Sequence, residues 1–236
     1  DILGFKDIKC SNPQIIYPES SLAGAEVIAR TIRGNICGFS KKIGKGTLMH
    51  LGTWIGFDTE GHKPVYEEIL KRSGTKIRNA SSGNDNITVR ERFTGDNRAV
   101  LFIGNYYNEE QKSNVAYSHP RTGEILTIPY DGSDALWPPL YAILTPVCLD
   151  IVEGIEILHC TSDILNITEK EDHFEMTLYG NRDLVGEIVF EGENAEKIQS
   201  VSLNGKTCQW CRKDWRVVVR YSHRHKEEMI LSVKIW

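Results

Sequence analysis

The chain has 236 residues, 40 % of them hydrophobic and 25 % charged, with a formal net charge of −4. That is enough chain for one or two domains with a real core, and it offers no basic surplus that would draw nucleic acid or an anionic membrane. Its apolar runs fall short of the roughly 18 residues of a membrane span, and Asp1-Ile2-Leu3-Gly4 opens without an initiator Met or a signal peptide, so the chain reads as a piece of something longer.

Residues 14–17, 26–32 and 36–42 are short β-prone pieces broken by Pro13, Pro18, Gly24 and Gly34. Gly44 and Gly46 around Lys45 supply the positive φ of a hairpin turn, and Leu48, Met49 and Leu51 then form an apolar run expected to be a strand covered on both faces. After Gly52, residues 53–62 mix glycines, aromatics and charge on a loop held by that strand, a usual setting for recognition. Trp54, Phe57, Asp58, Glu60 and His62 are its candidate contacts to carbohydrate or to a partner surface. Pro64 in a first turn, the stripe Val65, Tyr66, Ile69 and Leu70, and Gly74 as stop predict one amphipathic helix.

Residues 79–86, rich in Ser, Gly, Asn and Asp, read as a linker, and a domain boundary is expected at 78/79. Beyond it the hydrophobic period changes to two. Strands are expected at 87–93, 99–104, 114–117, 124–128 and 140–149, with turns at Gly95-Asp96-Asn97 and at 120–123. A second unit from residue 151 has strands at 155–161, 174–179, 185–190, 198–203, 215–221 and 229–236, with Asn204-Gly205 as a hairpin turn. The fold class is therefore mainly β, with two antiparallel sandwich units, 79–150 and 151–236, after a mixed segment at 1–78.

Candidate chemistry is sparse. Five residues separate Gly38 from Gly44 and Gly46 stands where a P-loop needs a hydroxyl, so nucleotide binding is not expected. Cys208 and Cys211, with His223 and His225 nearby, have zinc-like spacing but lie on a hairpin, not in a knuckle, so no metal or other cofactor is expected. Asp58 and Glu60 are the one carboxylate pair on a plausible site loop, and no G-x-S-x-G elbow favours a serine nucleophile. Trp54, Phe57, Trp137, Trp210 and Trp215 are candidates to stack on sugar rings, with Trp215 the one assigned to a strand core. Six cysteines are too few for a disulfide scaffold, and Cys37, Cys148 and Cys160 lie in apolar stretches, which points to a cytoplasmic, reducing location. Three sequons, at Asn79, Asn86 and Asn166, are too short a pattern to outweigh this.

GKGTLMHLGTWIGF from Gly44, GNYYNEEQ from Gly104, CTSDIL from Cys160 and LYGNRDLVGEIVF from Leu178 together give a resemblance. The chain resembles the C-terminal part of prokaryotic glycoside hydrolases of the β-galactosidase and exo-β-glucosaminidase type, families 35 and 42. The resemblance implies that residues 1–78 end an amidotransferase-like α/β domain and that the rest forms two β-sandwich appendages. It also implies an accessory role, bracing the catalytic barrel and a homo-oligomer of the parent glycosidase, with carbohydrate contact possible. Both catalytic glutamates of those families lie on barrel strands absent here, so no residue inherits a catalytic role. The alternative is a stand-alone carbohydrate-binding or β-rich interaction module.

Overall fold

The computed structural model describes residues 1–12, 15–75, 79–95, 97–181, 183–224 and 227–235, with the side chains of 59–60 outside the described set. The expectations that fell on Pro13, Gln14, Glu60 (side chain), Asp96, His225 and Trp236 lie outside the described residues. The chain divides into two compact units, Asp1–Ile77 and Arg78–Trp236.

In the first unit β1 (Glu26–Arg30), β2 (Ile36–Ile43) and β3 (Gly46–Leu51) form an antiparallel sheet in that order, followed by α1 (Thr59–Arg72). Gly44 takes the positive φ of the β2–β3 turn, 58°, whereas Gly46 already pairs with Ile43 as the first residue of β3. Contrary to expectation β3 is not covered on both faces. It is an edge strand: Met49 and Leu51 pack toward Ile28, Cys37 and Val65, while Leu48, of opposite parity, is exposed. Gly38 is needed for this packing, because a methyl group there would stand 2.8 Å from Ala29 Cβ and 2.9 Å from Leu51 Cδ2. Tyr17 makes one bridge to Ile36 where a longer strand was expected.

The second unit begins with β4 (Ala80–Ser82), β5 (Ile87–Thr94), β6 (Arg98–Asn105), β7 (Gln111–Ser113), β8 (Val115–Ser118), β9 (Ile125–Ile128), β10 (Ala135–Trp137) and β11 (Tyr141–Val147). They form three small antiparallel sheets, β11-β6-β5, β4-β8-β9 and β10-β7. The segment expected to be a linker thus carries β4, whose Ala80 is buried opposite Tyr117. Then come β12 (Leu149–Val152), β13 (Ile155–Cys160), β14 (Asp163–Glu169), β15 (His173–Tyr179), β16 (Val185–Glu191), β17 (Ser200–Leu203), β18 (Lys206–Thr207), β19 (Gln209–Lys213), β20 (Arg216–Ser222) and β21 (Met229–Lys234). They build two five-stranded antiparallel sheets, β12-β13-β16-β20-β19 and β14-β15-β21-β17-β18. Asn204 and Gly205, both at positive φ, turn the β17–β18 hairpin as their sequence predicts.

These two sheets face each other over Phe174, Met176, Leu178, Ile188, Phe190, Val217 and Val219, with Phe174 and Phe190 edge to face at 5.8 Å. The first of them is buried on its other face too. Leu158, Val189 and Val218, of alternate parity, join Leu101, Ile103, Tyr117 and Trp137 in a second core shared with the small sheets. The division expected at 150/151 therefore falls inside one compact unit, because the sheet after it supplies part of the core before it.

Candidate functional site

The expected contact loop resolves into a helix start. Asp58 is the N-cap of α1, its Oδ1 accepting from the Gly61 N–H at 3.0 Å, so α1 begins before His62 rather than after it. His62 is 1 % exposed: its Nδ1 accepts from the N–H groups of Gly56 (2.9 Å) and Asp58 (3.3 Å), which puts the ring proton on Nε2, 2.5 Å from the Lys9 carbonyl. Both residues are thus occupied in holding the loop. Trp54 and Phe57 are 72 % and 60 % exposed and remain surface aromatics.

The densest polar chemistry lies elsewhere, on the second face of the β13-β16-β20 sheet. Glu187 and Glu191 of β16 share a parity with Val189, and Arg216 and Arg220 of β20 share one with Val218, with Glu187 directly opposite Arg220. Arg216 donates Nε to Glu191 (3.1 Å), both Nη atoms to Glu124 (3.0 and 2.7 Å) and Nη1 also to the Tyr130 hydroxyl (3.0 Å). His119 Nε2 lies 2.8 Å from Glu191, and Arg121 bridges Glu156 and Glu191. Alongside, Glu187 accepts from His159 (3.0 Å), the Tyr130 N–H (2.8 Å) and Arg220 (2.9 Å), while Tyr117 meets the far nitrogen of His159 at 2.9 Å. Burial works against ionisation of both glutamates, but the His159 and Arg220 bonds at Glu187 and the His119 and Arg216 bonds at Glu191 outweigh it, leaving each below the usual carboxylate range. Arg216, opposed by burial in the same way, is raised by Glu124, Tyr130 and Glu191.

His119, Cys148 and Glu191 bring three ligand-type atoms together, with Cys148 Sγ 3.5 Å from His119 Nε2 and 3.7 Å from Glu191. The tautomer argues against a metal. His119 Nδ1 accepts from the N–H groups of Arg121 (3.1 Å) and Thr122 (3.3 Å), so Nε2 carries the proton and donates it to Glu191 instead of offering a lone pair. Nor is this a thiol nucleophile. Burial, with Glu191 beside it, pushes the Cys148 thiol up to about 12, and the one histidine nitrogen within its reach, His119 Nε2, is already given to Glu191. Ser162 and His223 form a second nucleophile-like pair at 2.7 Å, but His223 Nδ1 faces the Leu184 carbonyl at 2.7 Å rather than a carboxylate. Both residues are buried, and Gly180 packs so closely that a methyl group would overlap the His223 ring. This occupation also removes His223 from the zinc pattern considered above. All six cysteines are free thiols, Cys208 and Cys211 included.

Beside the polar network is a cleft of about 270 Å³. Its floor is β19 and β20: Gln209 stands opposite Arg220 and Cys211 opposite Val218, with Lys213 next along the same face. Tyr130 and Asp131, just after β9, form the wall. Asp131 Oδ2 is 2.8 Å from Arg220, and its Oδ1 accepts from the Ser133 hydroxyl (2.6 Å) and N–H (3.0 Å). Those Ser133 bonds, with Arg220, hold the Asp131 carboxyl down at about 2. Lys213 Nζ lies 5.1 Å from the centre of the Tyr130 ring. Trp210 reaches the cleft from the other face of β19, its ring packed on the sandwich core under Arg212.

No family model matches the chain. A stretch of 92 residues, 39 % of the chain, is 35 % identical to a β-1,2-glucosyltransferase of Ignavibacterium album. The chain is thus similar over part of its length to a glycosyl-handling enzyme. The stretch spans 12 % of that protein's length.

Of the aromatic candidates, Trp137 is wholly buried and donates Nε1–H to the Ser113 carbonyl at 3.0 Å, so it is core. Trp215, assigned to a strand core, is instead in the β19–β20 turn and 60 % exposed, over the Arg216 guanidinium. The loop candidates and the cleft residues belong to different units. Sequence reading missed the polar network and, apart from the stacking candidate Trp210, the cleft. The available signal was parity: Glu187 and Glu191, like Arg216 and Arg220, are four apart in otherwise apolar strands and so face the same way.

Proposed function

We infer that this chain is a non-catalytic region of a carbohydrate-active enzyme, a glycoside hydrolase of β-galactosides or β-glucosaminides, bracing its catalytic barrel and its oligomer. The observation that carries the reading is the partial match to a β-1,2-glucosyltransferase in which the matched stretch is a small share of the whole. Carboxyl chemistry supports it. Glycoside hydrolysis needs a general acid of raised pKa beside a second carboxylate. Asp131, the carboxylate of the cleft, is held ionised by Ser133 and Arg220, and Glu187 and Glu191 are tied to histidine and arginine. Among the described carboxyls with a resolved shift, Asp163 alone is raised, by burial. Trp54 and Phe57 supply exposed aromatic surface for contact with the remainder of the enzyme.

The test is direct. The chain expressed alone should release no aglycone from aryl β-galactosides or β-glucosaminides, and the reading frame upstream of Asp1 should encode a barrel with paired glutamates. Turnover by the pure chain, or an upstream frame with no such barrel, overturns the reading.

A further inference from the structure

The cleft beside Tyr130 has no part in the bracing role just described, yet it is built with care. Glu187, itself buried, fixes Arg220 through Nε, and Arg220 in turn fixes Asp131, so a carboxylate and a guanidinium are presented at the cleft in a set geometry. Such preorganised groups hold a ligand without losing side-chain freedom on binding. Gln209 adds an amide whose side chain makes no hydrogen bond to the described residues, so both its donors and its acceptor are available. Val218 and Cys211 between them give an apolar floor, and the Tyr130 ring an aromatic wall.

Three properties narrow the ligand. Arg220 is already matched by Asp131 and by the buried Glu187 behind it, and the Lys213 ammonium lies over the Tyr130 ring, so the cleft presents no patch of one sign that would select an ionic ligand. At about 270 Å³ the cleft is below the roughly 300 Å³ at which drug-sized ligand sites begin, so it takes one small ring and not a chain of them. A carboxylate acceptor, a guanidinium donor and a free amide around an apolar floor match a molecule that has hydroxyls on its rim and C–H groups on its face. We propose that this cleft binds a single neutral pyranose ring of a glycan. The proposal deepens the reading of the chain as part of a carbohydrate-active enzyme and rests on it.

The experiment is isothermal titration and saturation-transfer NMR on the full 236-residue chain. The probes are methyl β-glucoside, methyl β-galactoside, methyl N-acetyl-β-glucosaminide and β-1,2-linked glucobiose. Saturable binding of at least one is expected. Gln209→Ala and Asp131→Asn should each weaken it roughly ten-fold, the effect of one hydrogen bond to a sugar hydroxyl. Where Asp131→Asn lowers the melting temperature by freeing Arg220, Gln209→Ala decides, because that side chain makes no hydrogen bond to the described residues. Absence of saturable binding to every probe overturns the proposal, as does binding that survives Gln209→Ala. If the upstream frame encodes the barrel while the chain binds no sugar, the subsite falls and the accessory reading stands.

Discussion

At the scale of single residues, Asp58 and His62 illustrate how a helix start can resemble a binding loop. Polar side chains close together on a glycine-rich turn suggest a ligand, yet here the ligands are the chain's own N–H groups, orphaned by the first turn of α1 and by Gly56. Asp58→Ala should therefore cost about 1 kcal/mol, the usual loss of an N-cap. His62→Ala should cost more, about 1–3 kcal/mol, because it empties a buried ring site and breaks three part-buried bonds, to the Gly56 and Asp58 N–H groups and the Lys9 carbonyl. Trp54→Ala should stay within about 0.5 kcal/mol, as exposed substitutions do. Urea denaturation of the three variants checks the order. A Trp54→Ala loss as large as that of His62→Ala would mean that Trp54 is packed, and its role as contact surface would be abandoned.

At the scale of elements, what was legible in the sequence was strand position and what was hidden was strand environment. Period-two patterns located most strands, and Asn204-Gly205 located a hairpin, because both signals are local. β4 escaped because Ala80-Ser81-Ser82 has a linker's composition and becomes a strand only through pairing with β8. Trp215 was misplaced by one residue at a strand end, enough to move it from core to turn. Trp210 was a stacking candidate, but the cleft it lines was invisible for a deeper reason: Tyr130 and Asp131 meet Gln209 and Arg220 across about eighty residues or more of chain, and no local pattern encodes that meeting. β16 and β20 carry a sharper test. Gly186 lies directly opposite Tyr221, whose ring occupies the space a side chain would take. Gly186→Ala should destabilise by about 1–3 kcal/mol, the cost of overpacking, with Tyr221→Leu in the same chain recovering part of it. An alanine tolerated without loss of thermal stability would show that the ring moves aside freely and that this face of the sandwich is not close-packed.

At the scale of the whole second unit, one sheet is packed on both faces, and the two faces are made differently. One is apolar, Ile188, Phe190, Val217 and Val219 against the partner sheet; the other mixes Val189 and Val218 with the Glu187, Glu191, Arg216 and Arg220 network. A charged network of this kind adds less stability than its Coulomb energy suggests, since desolvation offsets much of it, but it leaves a record in pH dependence. Glu187 and Glu191 have folded pKa values below the ordinary 4.5, so the unfolded chain takes up their protons first on acidification. Their stabilising contribution is complete above that value and is lost as pH falls through the folded values. His223 adds an earlier limb: burial pulls its folded pKa below 6.5, so the neutral ring, bonded to Ser162 and Leu184, contributes stability above 6.5 that declines as pH falls toward the folded value. Asp163, raised by burial, works the other way, since its charged form is penalised in the folded state and protonation relieves that penalty. Unfolding free energy measured in urea from about pH 7.5 to about pH 2.5 should therefore fall in two steps. His223→Gln should flatten the first and Glu187→Gln the second, leaving the other limb in place. Stability that is flat between pH 7.5 and 5, or two limbs that vanish together in either variant, would show that these groups titrate alike in the folded and unfolded chain and that the buried network does not govern the acid response.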